Sequence, residues 1–233
     1  MPRAGRKLAV RIVEIAAAIL QASPETLILR DNAVADIADG TARLSLGEVG
    51  RIATYGPDTL PEGLDNSLTV AQHFAPSGYP FGFTNGVQAA LVKVDTETAL
   101  VRLLKHWVVE DCGTIINPLL VDEQIRGGVV QGLGAALFEE CLYDETGQLL
   151  NGSMADYLVP IVCEMPDIVI GHVETPTQDT ILGAKGVGEA GTAAAGAAVM
   201  NAVNDALSSF GARLTQTPMT PARILAALGV GQD

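Results

Sequence analysis

Between residues 5 and 21, GRKLAVRIVEIAAAILQ, apolar side chains recur at Leu8, Ile12, Ile15 and Ile19. That three-and-four spacing predicts an amphipathic helix. The next run, LILRDNAVADIADGTARLS, alternates short β-rich pieces with turn residues and predicts a short hairpin, with a second helix near Leu46–Tyr55. Residues 57–86 carry GPDTLPEGLDNS and APSGYPFGFTNG, so they read as a long crossing segment with a strand around Leu68–Phe74. A stretch of that length with little regular structure is uncommon and often functional.

From Val87 the patterns sharpen. VQAALVKVD and VRLLKHWVVEDCG, joined by TETA, predict an antiparallel hairpin. LLVDEQIRGGVVQGLGAALFEECLY has helical period, PDIVIGHVET reads as another strand, and AGTAAAGAAVMNAVNDAL as an alanine-rich helix to about Ser208. A short polar strand and a last helix, TPARILAALG, close the chain. Pro221 in the first turn after Thr220, and Gly229 past the end, are what helix termini prefer. Helices interleave with strands that read as antiparallel, so the fold class is α+β. The organisation is an N-terminal helix and hairpin region with its crossing segment, 1–86, followed by 87–233.

Composition narrows the function classes. The chain has 233 residues, 48% of them hydrophobic, with a net charge of −13. That charge excludes the basic footprint a nucleic-acid binder needs and disfavours anionic membrane surfaces. The basic start and apolar middle of MPRAGRKLAVRIVEIAAAIL imitate a signal peptide, but Arg11 and Glu14 interrupt the run. No stretch reaches the ~20 apolar residues of a membrane span. Cys112, Cys141 and Cys163 are widely spaced, match no zinc or iron–sulfur pattern and suit a reducing compartment, so a cytoplasmic protein is expected. His73, His106 and His172 are scattered and form no metal pair.

Two places carry candidate chemistry. Gln124 and Gln131 lie two turns apart on one helix face, with Gly127 and Gly128 between them and Gly132 and Gly134 beyond. Each glycine costs a helix interior about 0.8–1 kcal/mol relative to alanine. Either another helix packs closely there, or the two amides flank a flat, polar ligand. The second place is LGAKGVGEAGT, where Glu189 sits among glycines at a helix start. Free N–H groups and the positive end of the dipole favour an anion or a reacting group there. Gly186, Gly188 and Gly191 spell G-x-G-x-x-G, but no strand of adequate length precedes them and no second βα unit follows, so a nucleotide-binding dehydrogenase is disfavoured. A phosphate-binding loop of the Walker type fails too, because Lys185 precedes the glycines.

DCGTIINPLLVDEQIRGGVVQGLGAALFEE, LLNGSMADYLVP and LGAKGVGEAGT, in this order and at these distances, resemble the molybdenum-binding subunit of the xanthine dehydrogenase/aldehyde oxidase family. The likeness covers nearly the whole chain, most strongly Val87–Gly229, and reaches the C-terminal part of that subunit. It implies that 87–233 is a molybdenum-cofactor-binding region. Glu189 inherits the role of catalytic base, taking a proton from a hydroxyl or water at molybdenum. Gln124 matches the glutamine that hydrogen-bonds the pterin. Lys185, Gly186, Val187 and Gly188 match the segment that runs against the cofactor. Gln131, Gly127 and Gly128 fall in the adjoining helix as cofactor environment. No metal ligand is expected from this chain itself.

The resemblance further implies a hydroxylase of N-heterocycles or aldehydes that takes its oxygen from water, with half of the molybdopterin site on this chain. EAGT, in place of a double proline, points to the bacterial branch and to the cytosine dinucleotide form of molybdopterin. Iron–sulfur clusters and FAD are expected on partner subunits. A second chain is expected to carry the rest of the molybdenum subunit, this one being either a split subunit or a fragment. A non-catalytic interaction module of the same fold is the competing reading, against which Gln124, Lys185 and Glu189 all being present counts.

Overall fold

The computed structural model describes residues 2–75 and 82–230. The chain divides into two compact units, Met1–Ala75 and Pro76–Asp233. Half of the aromatic-rich stretch APSGYPFGFTNG, residues 76–81, lies outside the described residues.

In the first unit, α1 (Pro2–Leu20) lays Ile15, Ala16 and Ala17 onto a small sheet of β1 (Leu27–Arg30), β2 (Ala33–Asp36) and β3 (Ala42–Ser45). The strands pair antiparallel in the order β1-β2-β3, so the expected hairpin is two consecutive hairpins. The second turn was hidden in IADG, where Asp36 and Asp39 side chains accept from the backbone of Ala38 and Thr41. α2 (Leu46–Tyr55) starts on a capping box: the Ser45 hydroxyl accepts from the Glu48 N–H and the Glu48 carboxylate accepts from the Ser45 N–H. The strand expected around Leu68–Phe74 does not form. Among the described residues that stretch has no ladder partner; Arg11 donates to the Thr69 carbonyl at 3.3 Å within it, and just before it pairs with Asp65 at 2.8 Å and donates to the Ser67 carbonyl at 3.0 Å.

In the second unit, β4 (Asn85–Val94) and β5 (Val101–Asp111) form the expected antiparallel hairpin. β6 (Asp167–His172) joins the other side of β5, but parallel to it. The all-antiparallel expectation is thus corrected to a mixed sheet. α3 (Pro118–Leu137) carries the chain back after β5, so the next strand starts from the same edge, as crossover connections require. α3 and α4 (Ala190–Leu207) pack against one sheet face, enclosing Val108, Ile125, Val129, Leu133, Val199 and Val203. The polar strand expected after α4 is absent: Asn204 bonds both the N–H and the carbonyl of Leu214 and so occupies the backbone groups a ladder would use. α5 (Pro221–Ala227) is capped by Thr220, with Gly229 at a positive φ of 76° beyond it.

α3 and α4 meet through small residues. A methyl at Gly128 would stand 3.1 Å from the Gly191 Cα, and one at Gly132 2.8 Å from the Ala195 Cβ. Of the two readings of the glycine notch, helix packing describes Gly128 and Gly132. Gly127 is different, with open space where a side chain would go.

Candidate active site

The end of β5, the loop 183–189 and the start of α4 converge on one cavity of about 400 Å³. Thr84, Gly86, Glu110, Gly186, Gly188, Glu189 and Ala190 are among its lining residues.

The loop is tied to β5 by backbone and by charge. The Lys185 N–H donates to the Cys112 carbonyl at 2.7 Å, and the Thr114 N–H to the Gly183 carbonyl at 3.1 Å. This approach works because residue 113 is glycine: it holds a φ of 68°, and a methyl there would run into the Gly183 carbonyl. The Lys185 ammonium reaches back 2.9 Å to Asp111 and 2.7 Å to the Thr175 hydroxyl. Asp111 also accepts from the Gly113 N–H at 2.9 Å and from the Thr175 hydroxyl and N–H. The Lys185 ammonium first, then the Thr175 hydroxyl, holds the Asp111 carboxyl far below the usual carboxylate range. Lys185 therefore anchors the loop, with its N–H on Cys112 and its charge paired inside the fold. Sequence reasoning missed Asp111; its signal was an acidic residue at a strand end, two positions before the glycine that lets the loop close in.

Beyond Lys185 the loop turns toward the cavity. Val187 packs its side chain against the main core, and its carbonyl accepts from the Ala190 N–H at 3.3 Å. Methyls at Gly186 and Gly188 would meet open space. The Gly186 carbonyl accepts from the Thr84 hydroxyl, and the Gly188 carbonyl from the Gln124 side-chain amide at 3.0 Å. The N–H groups of Gly186, Val187, Gly188 and Glu189 find no acceptor among the described residues. Glu189 itself is the N-cap residue of α4; its carbonyl accepts from Thr192 and Ala193. Its carboxylate is exposed and makes no hydrogen bond or ion pair among the described residues. Gln131 lies at the α3–α4 contact, 3.4 Å from the Thr192 hydroxyl, which also donates to the Gly128 carbonyl.

The structure thus brings Gln124, Gly186, Gly188 and Glu189 together around one loop, with Lys185 and Val187 as its anchors. It leaves Gly128 between the helices and Gln131 exposed beside that contact. A group rich in oxygen and nitrogen acceptors fits the four free amides, and open space over the two glycines admits a flat ring. Among the described residues no cluster of three or more His, Cys, Asp or Glu side chains is placed to bind a metal. No described helix is long and apolar enough to cross a membrane.

Among the described residues this α+β unit sets a glycine loop, amides without acceptors and a carboxylate without a partner beside one cavity, an arrangement suited to holding a cofactor. Residues 1–166 match the family model of the molybdopterin cofactor-binding domain, and the chain belongs to that family. It is 40% identical over 225 residues to the nicotine 6-hydroxylase large subunit of Paenarthrobacter nicotinovorans, covering 97% of this chain and 27% of that one. It is 35% identical over 231 residues to the 6-hydroxypseudooxynicotine dehydrogenase complex subunit gamma of the same organism, covering 95% and 28%. The crystal structure of quinoline 2-oxidoreductase from Pseudomonas putida 86 superposes with a TM-score of 0.75 at 37% identity, over 97% of this chain and 29% of that one. The chain therefore corresponds to part of the molybdenum-binding subunit of a molybdenum hydroxylase and spans little more than a quarter of the length of these relatives.

Proposed function

We propose that this chain forms one wall of a molybdopterin site and supplies the general base, Glu189, of an enzyme that hydroxylates an N-heterocycle or aldehyde with oxygen from water. The observation that carries the reading is the unpaired Glu189 carboxylate at the rim of a cavity whose other edge is the open Gly186–Gly188 backbone. When bound, the molybdenum–pterin group supplies the two-electron chemistry. The chain's own residues bind and orient. The free amides of 186–189 donate to the cofactor's acceptors, Gln124 braces the loop through the Gly188 carbonyl, and the Asp111–Lys185 pair fixes where the loop leaves the sheet. A carboxylate without internal partners is at liberty to take a proton from the attacking oxygen.

The cytosine dinucleotide form of the cofactor is supported by the EAGT sequence, where the animal enzymes carry a double proline. Partner subunits with iron–sulfur clusters and FAD are part of the same proposal: the relatives bear names such as large subunit and complex subunit gamma. The three free cysteines are consistent with a cytoplasmic setting.

The test is Glu189→Gln in the native assembly, with molybdenum and pterin measured beside turnover. Cofactor content stays near normal while turnover falls by about 10²–10⁴-fold, the loss expected for a missing general base. Near-normal turnover removes Glu189 from the mechanism, and an assembly devoid of pterin favours the non-catalytic module.

A further inference from the structure

Glu189 shares its cavity with a second carboxyl that the family resemblance did not single out. Glu110 lies on the inward-facing side of β5, two residues from Val108 and four from His106, and only 2% of it is exposed. It stands directly across the β4–β5 ladder from Gly86, and a methyl on Gly86 would collide with the carboxylate, Oε2 nearest. Any other residue at 86 would displace Glu110 or cover it. Both residues line the cavity.

The surrounding hydrogen bonds specify which oxygen is free. The Gln88 amide donates to the Gly191 carbonyl at 2.9 Å and reaches Glu110 Oε1 at 3.4 Å. Its own carbonyl oxygen is occupied by His106 Nε2 at 2.9 Å. Oε2 of Glu110, the oxygen on the Gly86 side, has no partner among the described residues. A buried carboxyl with one oxygen anchored and the other bare toward a cavity is arranged to donate a hydrogen bond there.

We infer that Glu110 is a second functional acid of this cavity, holding a proton on Oε2 and donating it as a hydrogen bond to an acceptor atom of the group that Glu189 faces. The two carboxyls then work in opposite protonation states, one giving and one taking. This inference rests on the cofactor and base reading above for what fills the cavity, but not for the protonation state of Glu110.

The charges around Glu110 agree. Burial raises its carboxyl above the ordinary glutamate range, with the Gln88 amide and His172 acting the other way. His172, its register partner on β6, is engaged with Asp122 at 2.6 Å. His106, below Gln88 on β5, is kept neutral by its own burial. Asp111, next in the chain, is neutralised by Lys185 at 2.9 Å. Glu189 lines the same cavity.

The experiment compares the native holoenzyme with Glu110→Gln and Glu110→Ala. At neutral pH the infrared spectrum of the holoenzyme shows the carbonyl band of a protonated carboxyl, and this band is missing from Glu110→Gln. In the wild type kcat/KM falls on the alkaline side as Glu110 loses its proton, and that fall disappears in Glu110→Gln, whose amide donates without titrating. Glu110→Ala turns over at least about tenfold more slowly than Glu110→Gln, the scale of one lost buried hydrogen bond. Absence of the band, or an alkaline limb unchanged in Glu110→Gln, overturns the inference. Failure of the base reading shows elsewhere, as undiminished turnover in Glu189→Gln with the Glu110 band still present.

Discussion

The Lys185 ammonium stands 2.9 Å from the Asp111 carboxylate, with both side chains at or below a tenth exposed, although 74 residues separate them. This pair fixes the loop that ends in Glu189, and its worth is measurable. Lys185→Met leaves a buried carboxylate unpaired, which costs about 3–5 kcal/mol. The double variant Asp111→Asn, Lys185→Met loses less than the single one, because no uncompensated charge remains. The acid limb follows from the sign: the folded carboxyl is depressed, so its stabilisation is present above the ordinary aspartate value, about pH 3.9, and is lost as pH falls below it. Urea denaturation of the three proteins at neutral and acid pH checks both statements. Equal stability of Lys185→Met and wild type would sink the idea.

The neighbouring glycines of α3 separate two roles that the sequence left open. Gly128→Leu forces a side chain into the 3.1 Å contact with Gly191 and Thr192, and overpacking of that kind costs about 1–3 kcal/mol. Gly127→Ala places a methyl in open space and gains up to about 1 kcal/mol of helix propensity. Thermal unfolding should therefore rank Gly127→Ala above wild type and Gly128→Leu below it. The reverse order would mean that the notch is not a helix–helix contact.

What was legible in the sequence was what depends on near neighbours. The 87–111 hairpin, the periodic stretch of α3, the glycine loop running into α4, and the Thr220 cap with Gly229 are all local patterns, and the structure contains each of them. The stretch Leu68–Phe74 has strand composition but no strand to pair with, and composition is blind to partners. The direction of β6 is set by α3 and the long connection before it, not by PDIVIGH itself. The site divides in the same way. Glu189 and its glycines announce themselves, whereas the 111–185 pair joins two distant segments. Glu110 was within reach, since the period of β5 places it on the same inward face as His106 and Val108, where a carboxylate needs a reason.

His106 gives the last prediction. It is fully buried, and its Nε2 donates to the Gln88 side-chain oxygen at 2.9 Å, which leaves Nδ1 without a partner among the described residues. Burial lowers its affinity for a proton. In the unfolded chain the ring gains a proton below about pH 6.5; in the folded protein it resists. The unfolded state therefore binds more protons in that window, and stability declines as pH falls from neutral through 6.5 toward the depressed folded value. His106→Leu keeps the volume and removes the titration. It also strands the Gln88 oxygen, at a cost of about 1–3 kcal/mol. The variant should be less stable at neutral pH, yet lose less further stability than wild type between neutral and mildly acid conditions. Denaturation midpoints at two pH values suffice, and an unchanged difference between them in His106→Leu would show that the buried ring is not the group responsible.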